Sequence, residues 1–131
     1  MPLGHLGLNV SSLPRAKAFY DVLMPMLEYE PFFSADTEFS YRPADGKPGT
    51  YVFFYGEPMT GEYSRTLPGL QHLAFIVRTR DAVHEVYTRA LDLGAESEIE
   101  PREFPEYHPG YYAAFVKDVN GFTLEVVCHK A

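Results

Sequence analysis

The chain has 131 residues, of which 46% are hydrophobic, and carries a formal charge of −7. Such a chain can bury about 68% of its unfolded surface in a core, which excludes disorder, and its acidity leaves no basic stripe for phosphates, which excludes a nucleic-acid partner. No apolar run reaches the roughly 18 residues of a membrane span. The opening Met-Pro-Leu-Gly-His lacks the charged and apolar regions of a secretory signal, and the single cysteine, Cys128, cannot form an internal disulfide, so a cytoplasmic protein is expected.

Gly4 to Val10 alternates as a strand does. Ser11 or Ser12 can then cap a helix with Pro14 in its opening turn. Leu13, Ala16, Tyr20 and Leu23 fall on one stripe of that helix, and Pro25 limits it. Three strand-like runs follow, roughly Tyr29–Phe33, Glu38–Arg42 and Thr50–Tyr55, divided by Asp45-Gly46 and Pro48-Gly49. A polar stretch with Pro and Gly, Gly56 to Gly69, leads to a second strand-like start at Leu70 to Val77. Thr79 and Asp81 open a second helix with Val83, Val86, Ala90 and Leu93 on one stripe, and Gly94 stops it. Glu96–Glu103, Tyr111–Lys117 and Phe122–Cys128 complete the pattern, broken by Pro109-Gly110 and Asn120-Gly121.

The two halves repeat. Placing His5 over His72, an offset of 67, brings Leu6 onto Leu73, Val10 onto Val77 and Tyr20 onto Tyr87. The order is βαβββ twice, an α+β fold of two tandem modules that form a cup-shaped mixed sheet with the helices on the convex side. Neither half alone covers both faces of its sheet, so one domain, 1–131, is expected. Module one is about 1–57, the linker 58–69 and module two 70–131.

Side chains two apart on a strand share a face. His5, Gly7 and Asn9 oppose Leu6, Leu8 and Val10; His72 and Ala74 oppose Leu73, Phe75 and Val77. The aliphatic faces belong under the helices and the histidine faces on the open side. Glu125 shares a face with Thr123 and Val127, a carboxylate among apolar neighbours that needs a cation or strong donors there. Two imidazoles and one carboxylate have the ligand chemistry of a divalent transition metal with positions left open for substrate. Ten tyrosines and ten phenylalanines supply the aromatic content. Tyr51, Phe53, Tyr55, Tyr111 and Phe115 have the parity of the open side, as a substrate pocket would require. Cys128 has the parity of core packing, and Asp118 with Asn120-Gly121 has that of a turn.

The paired modules resemble the vicinal oxygen chelate superfamily, which includes glyoxalase I, bleomycin- and fosfomycin-resistance proteins, epimerases and extradiol dioxygenases. The resemblance lies in His5-Leu-Gly-Leu-Asn-Val, the helix with Ala18-Phe19-Tyr20, His72-Leu-Ala-Phe-Ile-Val, and the closing Ala114-Phe-Val-Lys-Asp-Val-Asn-Gly-Phe-Thr-Leu-Glu125. It covers essentially the whole chain. It implies His5, His72 and Glu125 as ligands of one divalent ion (iron, zinc, nickel, manganese or magnesium), a small-molecule substrate and a homodimer.

The sequence also departs from the family's subclasses. Aligning Gly49 with Gly121 sets Phe53 opposite Glu125, where a glyoxalase I carries a fourth ligand; Glu57 has the parity but lies about 13 Å further along an extended strand. Phe115 stands where extradiol dioxygenases carry tyrosine, and Gly7 where fosfomycin-resistance proteins carry threonine. Glu57 and His108 are the candidate acid–base residues. The resemblance thus implies a metal-dependent enzyme of lyase, isomerase or dioxygenase type acting on an oxygen-chelating substrate. The alternative is a metal-free binding or drug-sequestering protein of the same fold.

Overall fold

The computed structural model describes residues 3–56 and 63–130. They form two compact units, Met1–Gly61 and Glu62–Ala131, and each unit is one βαβββ module.

In the first unit β1 (His5–Asn9) leads into α1 (Leu13–Met26), followed by β2 (Tyr29–Ser34), β3 (Glu38–Pro43) and β4 (Tyr51–Tyr55). The four strands form one sheet in the order β1-β4-β3-β2. β1 and β4 run parallel; the other pairs are antiparallel. Ser12 starts α1, its hydroxyl accepting from Arg15 N, with Pro14 in the first turn where a missing N–H costs nothing. Pro25 does not end this helix as the sequence suggests. It lies in the last turn, and the chain leaves one residue later through Leu27 and the left-handed Glu28 (φ 63°), whose N–H bonds to Pro25 O. Ala16, Phe19, Tyr20 and Leu23 of α1 are buried, as are Phe39, Tyr41, Val52 and Phe54 of the sheet, and Tyr20 meets Phe54 with ring centroids 4.4 Å apart.

In the second unit β5 (Leu73–Ile76) precedes α2 (Arg80–Asp92), then β6 (Glu96–Glu103), β7 (Tyr112–Lys117) and β8 (Thr123–Cys128). The order β5-β8-β7-β6 repeats the first sheet strand for strand. Thr79 caps α2 by accepting from Ala82 N, and Gly94 takes the left-handed φ of 105° just past its end, as a helix C-terminus favours. Val83, Val86 and Ala90 are buried, while Leu93 is only half-buried. α2 packs on β6, β7 and β8. Cys128 is buried and unpaired, in keeping with core packing. Asp118 Oδ1 accepts from the backbone N–H groups of Asn120 and Phe122, the turn role its sequence context indicates. No described helix is long and apolar enough to cross a membrane.

Candidate functional site

In each sheet the first strand pairs in parallel with the last, and this register sets candidate residues of that unit side by side. In the first unit His5 pairs with Tyr51, Gly7 with Phe53 and Asn9 with Tyr55. Val52 and Phe54 are buried, while Tyr51, Phe53 and Tyr55 lie on the sheet's other face with the exposed His5. The His5 and Phe53 rings meet edge-on with centroids 5.5 Å apart, and Phe32 closes on Tyr51 at 5.1 Å. A Cβ on Gly7 would sit 3.1 Å from the Tyr55 ring, a tight contact to which the ring would have to yield.

In the second unit Ala74 pairs with Glu125 and Phe115 with Glu125 from the opposite side. Gly7 and Ala74 are separated by the repeat offset, so Phe53 occupies the register position in the first sheet that Glu125 holds in the second. Glu125 is 3% exposed on a central strand. Its carboxylate is met from two directions: Tyr111 Oη donates to Oε2, and His72 Nε2 lies 3.3 Å from Oε1. Burial first, and the bond to Glu125 second, push the Tyr111 hydroxyl above the ordinary tyrosine value, so it keeps its proton and donates.

His72 sits one residue before β5 begins, which frees Gln71 to turn alongside it. Gln71 Oε1 lies 2.5 Å from His72 Nδ1. An amide oxygen can only accept, so Nδ1 donates to it, and in the neutral ring this leaves the Nε2 lone pair toward Glu125. Two acceptors 3.3 Å apart repel unless a proton or cation lies between them. That separation also suits neighbouring ligands of a tetrahedral ion with bonds of about 2.0–2.2 Å. His72 and Glu125 therefore fit a divalent transition metal. Among the described residues no group of three histidine, cysteine, aspartate or glutamate side chains is gathered to hold one.

The His72–Glu125 pair opens on a cavity of about 630 Å³, within the range of small-molecule sites. Tyr111 and Phe115, both anticipated from parity, line it with Phe104, Tyr107 and Ile99. Beneath this wall Phe104 packs with the buried Ala113 and Val127. Polar groups reach the cavity from Arg65, Glu98 and Thr123; Arg65 Nη1 donates to Thr123 Oγ1 at 3.0 Å and lies 3.4 Å from Glu98 Oε2.

His108 is placed differently from the candidate base it resembles in sequence. It does not line this cavity: Nδ1 bonds to Pro109 O, Nε2 lies 3.0 Å from His129 Nδ1, and its ring rests on Tyr111. Glu57 lies outside the described residues. Sequence reading missed Gln71, Arg65, Glu98 and Phe104. Gln71 stands next to a candidate ligand histidine, but strand alternation from Leu70 would point it to the other face.

Residues 3–126 match the family model of the Glyoxalase/Bleomycin resistance protein/Dioxygenase superfamily. No curated protein matches the chain. Among solved structures it is similar to a glyoxalase candidate from Bacillus halodurans, with 29% identity, a TM-score of 0.80, and coverage of 97% of this chain and 95% of that one. It also resembles the genomically encoded fosfomycin resistance protein of Listeria monocytogenes, with 20% identity, a TM-score of 0.69, and 98% and 93% coverage. Lactoylglutathione lyase from Agrobacterium tumefaciens is similar at 20% identity and a TM-score of 0.65, with 96% and 92% coverage. At 20% identity these last two likenesses are of fold.

Proposed function

Because this chain belongs to the glyoxalase/bleomycin resistance protein/dioxygenase superfamily, we propose that it is a divalent-metal-dependent enzyme acting on a small substrate that chelates through neighbouring oxygens. The observation that carries this reading is the His72 Nε2 to Glu125 Oε1 pair, 3.3 Å apart at the wall of an aromatic-lined cavity. His5 is the proposed third ligand, supported by the sequence repeat and the family pattern. The same pattern supports a homodimer. We also propose that the two modules make up one domain, 1–131.

When bound, the ion supplies Lewis-acid stabilisation of a developing oxyanion, or dioxygen activation if it is iron. The chain's own residues do the rest. Gln71 fixes the His72 tautomer, and Tyr111 holds its proton against Glu125 Oε2, orienting the carboxylate. Phe115 and Tyr111 cover the substrate's apolar part and exclude water. The identity of the metal then selects between lyase or isomerase chemistry and ring-cleaving dioxygenation.

One observation favours a second reading, a metal-free binding protein. A proton on His72 Nε2 would close the pair without an ion, since Tyr111 already serves Oε2. Titrating chelator-treated protein with zinc in a calorimeter separates the two. The enzyme reading expects about one ion per chain, and a loss of affinity above about 100-fold in His5→Ala, His72→Ala and Glu125→Ala, beyond the effect of an outer-shell change. Unchanged uptake in these variants, or none in the parent, leaves the binding-protein reading.

A further inference from the structure

We infer that Glu98 sets substrate specificity: its carboxylate accepts a hydrogen bond from an N–H or O–H group on a substrate whose flat apolar body lies against Phe104, Tyr107, Tyr111 and Phe115. This rests on the proposed function only in taking the cavity of the second unit as the substrate site.

Strand β6 is built to aim this carboxylate. Ser97 pairs with Val116 and Ile99 with Phe115, so Glu98 is the extra residue of a bulge with no partner across the ladder. Ser97 meets α2, where its hydroxyl accepts from Tyr87 Oη at 2.7 Å. A regular strand would send Glu98 and Ile99 to opposite faces; with the bulge, both line the cavity.

The two carboxylate oxygens then have different fates. Oε2 faces Arg65 at 3.4 Å, and Arg65 is anchored in turn on the fully buried Thr123. Oε1 is buried and has no hydrogen-bond partner among the described residues. A buried acceptor left unpaired is destabilising, and an ionised carboxylate can only accept, so this partly exposed carboxylate has capacity left for a donor from the cavity. Beside it the Phe104 ring lies 5.8 Å from those of Tyr107 and Phe115, a wall suited to a planar body.

The test uses mandelate, which offers two neighbouring oxygens on a flat ring, with its 3- and 4-hydroxy, 4-methoxy and 4-aminomethyl derivatives. Binding is followed by ligand-observed NMR, with zinc and after chelator treatment. In the parent protein a hydroxy or aminomethyl probe should bind at least about tenfold tighter than the methoxy probe, which cannot donate. Glu98→Ala should abolish that preference while zinc uptake stays as in the parent. A larger gain for the aminomethyl probe identifies a cationic donor, and equal gains a neutral one. Glu98→Met, similar in size and without an oxygen acceptor, repeats the test if Glu98→Ala yields no folded protein. Equal binding across the series, no binding of any probe, or a preference that survives in the variants overturns the inference. Zinc uptake without the preference defeats the Glu98 inference alone; a Glu98-dependent preference without zinc uptake defeats the metal reading alone.

Discussion

Asp21 accepts from Lys17 Nζ at 2.6 Å on the surface and from Tyr41 Oη at 2.8 Å at the edge of the core. The first is an exposed pair of the kind that contributes little. The second matters more, because Tyr41 is buried. Burial, then the bond and charge of Asp21, raise the Tyr41 hydroxyl well above the ordinary tyrosine value. Its acid form is the neutral one, so the folded state holds a proton that the unfolded chain releases at about pH 10. That contribution is complete below about pH 10 and is lost as pH rises above it. Urea midpoints should therefore fall steeply above about pH 10. Tyr41→Phe should fall less steeply, with the remaining loss due to Tyr29, Tyr63 and Tyr111, which are also raised. At neutral pH the variant should be about 1 kcal/mol less stable. An unchanged alkaline slope contradicts the assignment. At this scale the sequence was legible where parity alone decides, as for Glu125, Tyr111 and Phe115. Gln71 was not: in a strand from Leu70 it would face away from His72, and only the later start of β5 at Leu73 lets it turn toward the ring.

Helices are the elements whose ends the chain states most clearly. Thr79 Oγ1 accepts from Ala82 N at 3.0 Å, satisfying one N–H that the first turn of α2 leaves without a helical partner. Thr79→Ala should cost about 1 kcal/mol in a denaturant titration with an unchanged slope; a neutral result would show that the hydroxyl is not the cap. α1 runs one residue past Pro25, which the sequence marks as its limit, because in the last turn the ring and missing N–H disturb less of the ladder. Apart from β5, which starts at Leu73 and not Leu70, strand extents were largely legible from alternation and turn residues, and β6 spans the predicted Glu96–Glu103. Its register shifts were not legible, between Ser97 and Ile99 and between Ile99 and Arg102. A bulge adds one residue without changing composition, so period-two reasoning assigns every residue beyond it to the wrong face.

Across the whole molecule the repeat was the strongest signal, and the two sheets show why. Both place the first strand beside the last, so the register that pairs Gly7 with Phe53 pairs Ala74 with Glu125. One duplicated topology therefore carries an aromatic ring at one of these positions and a buried carboxylate at the other. The fold follows from that duplication; the chemistry follows from what has diverged within it. His5, His72 and Glu125 are the proposed ligands of one divalent ion. Elemental analysis of protein purified without chelators tests it most directly, read beside His72→Ala prepared in the same way. The account predicts about one divalent transition ion per chain in the parent and a large loss in the variant. Metal-free parent protein, or equal metal in both preparations, would contradict it.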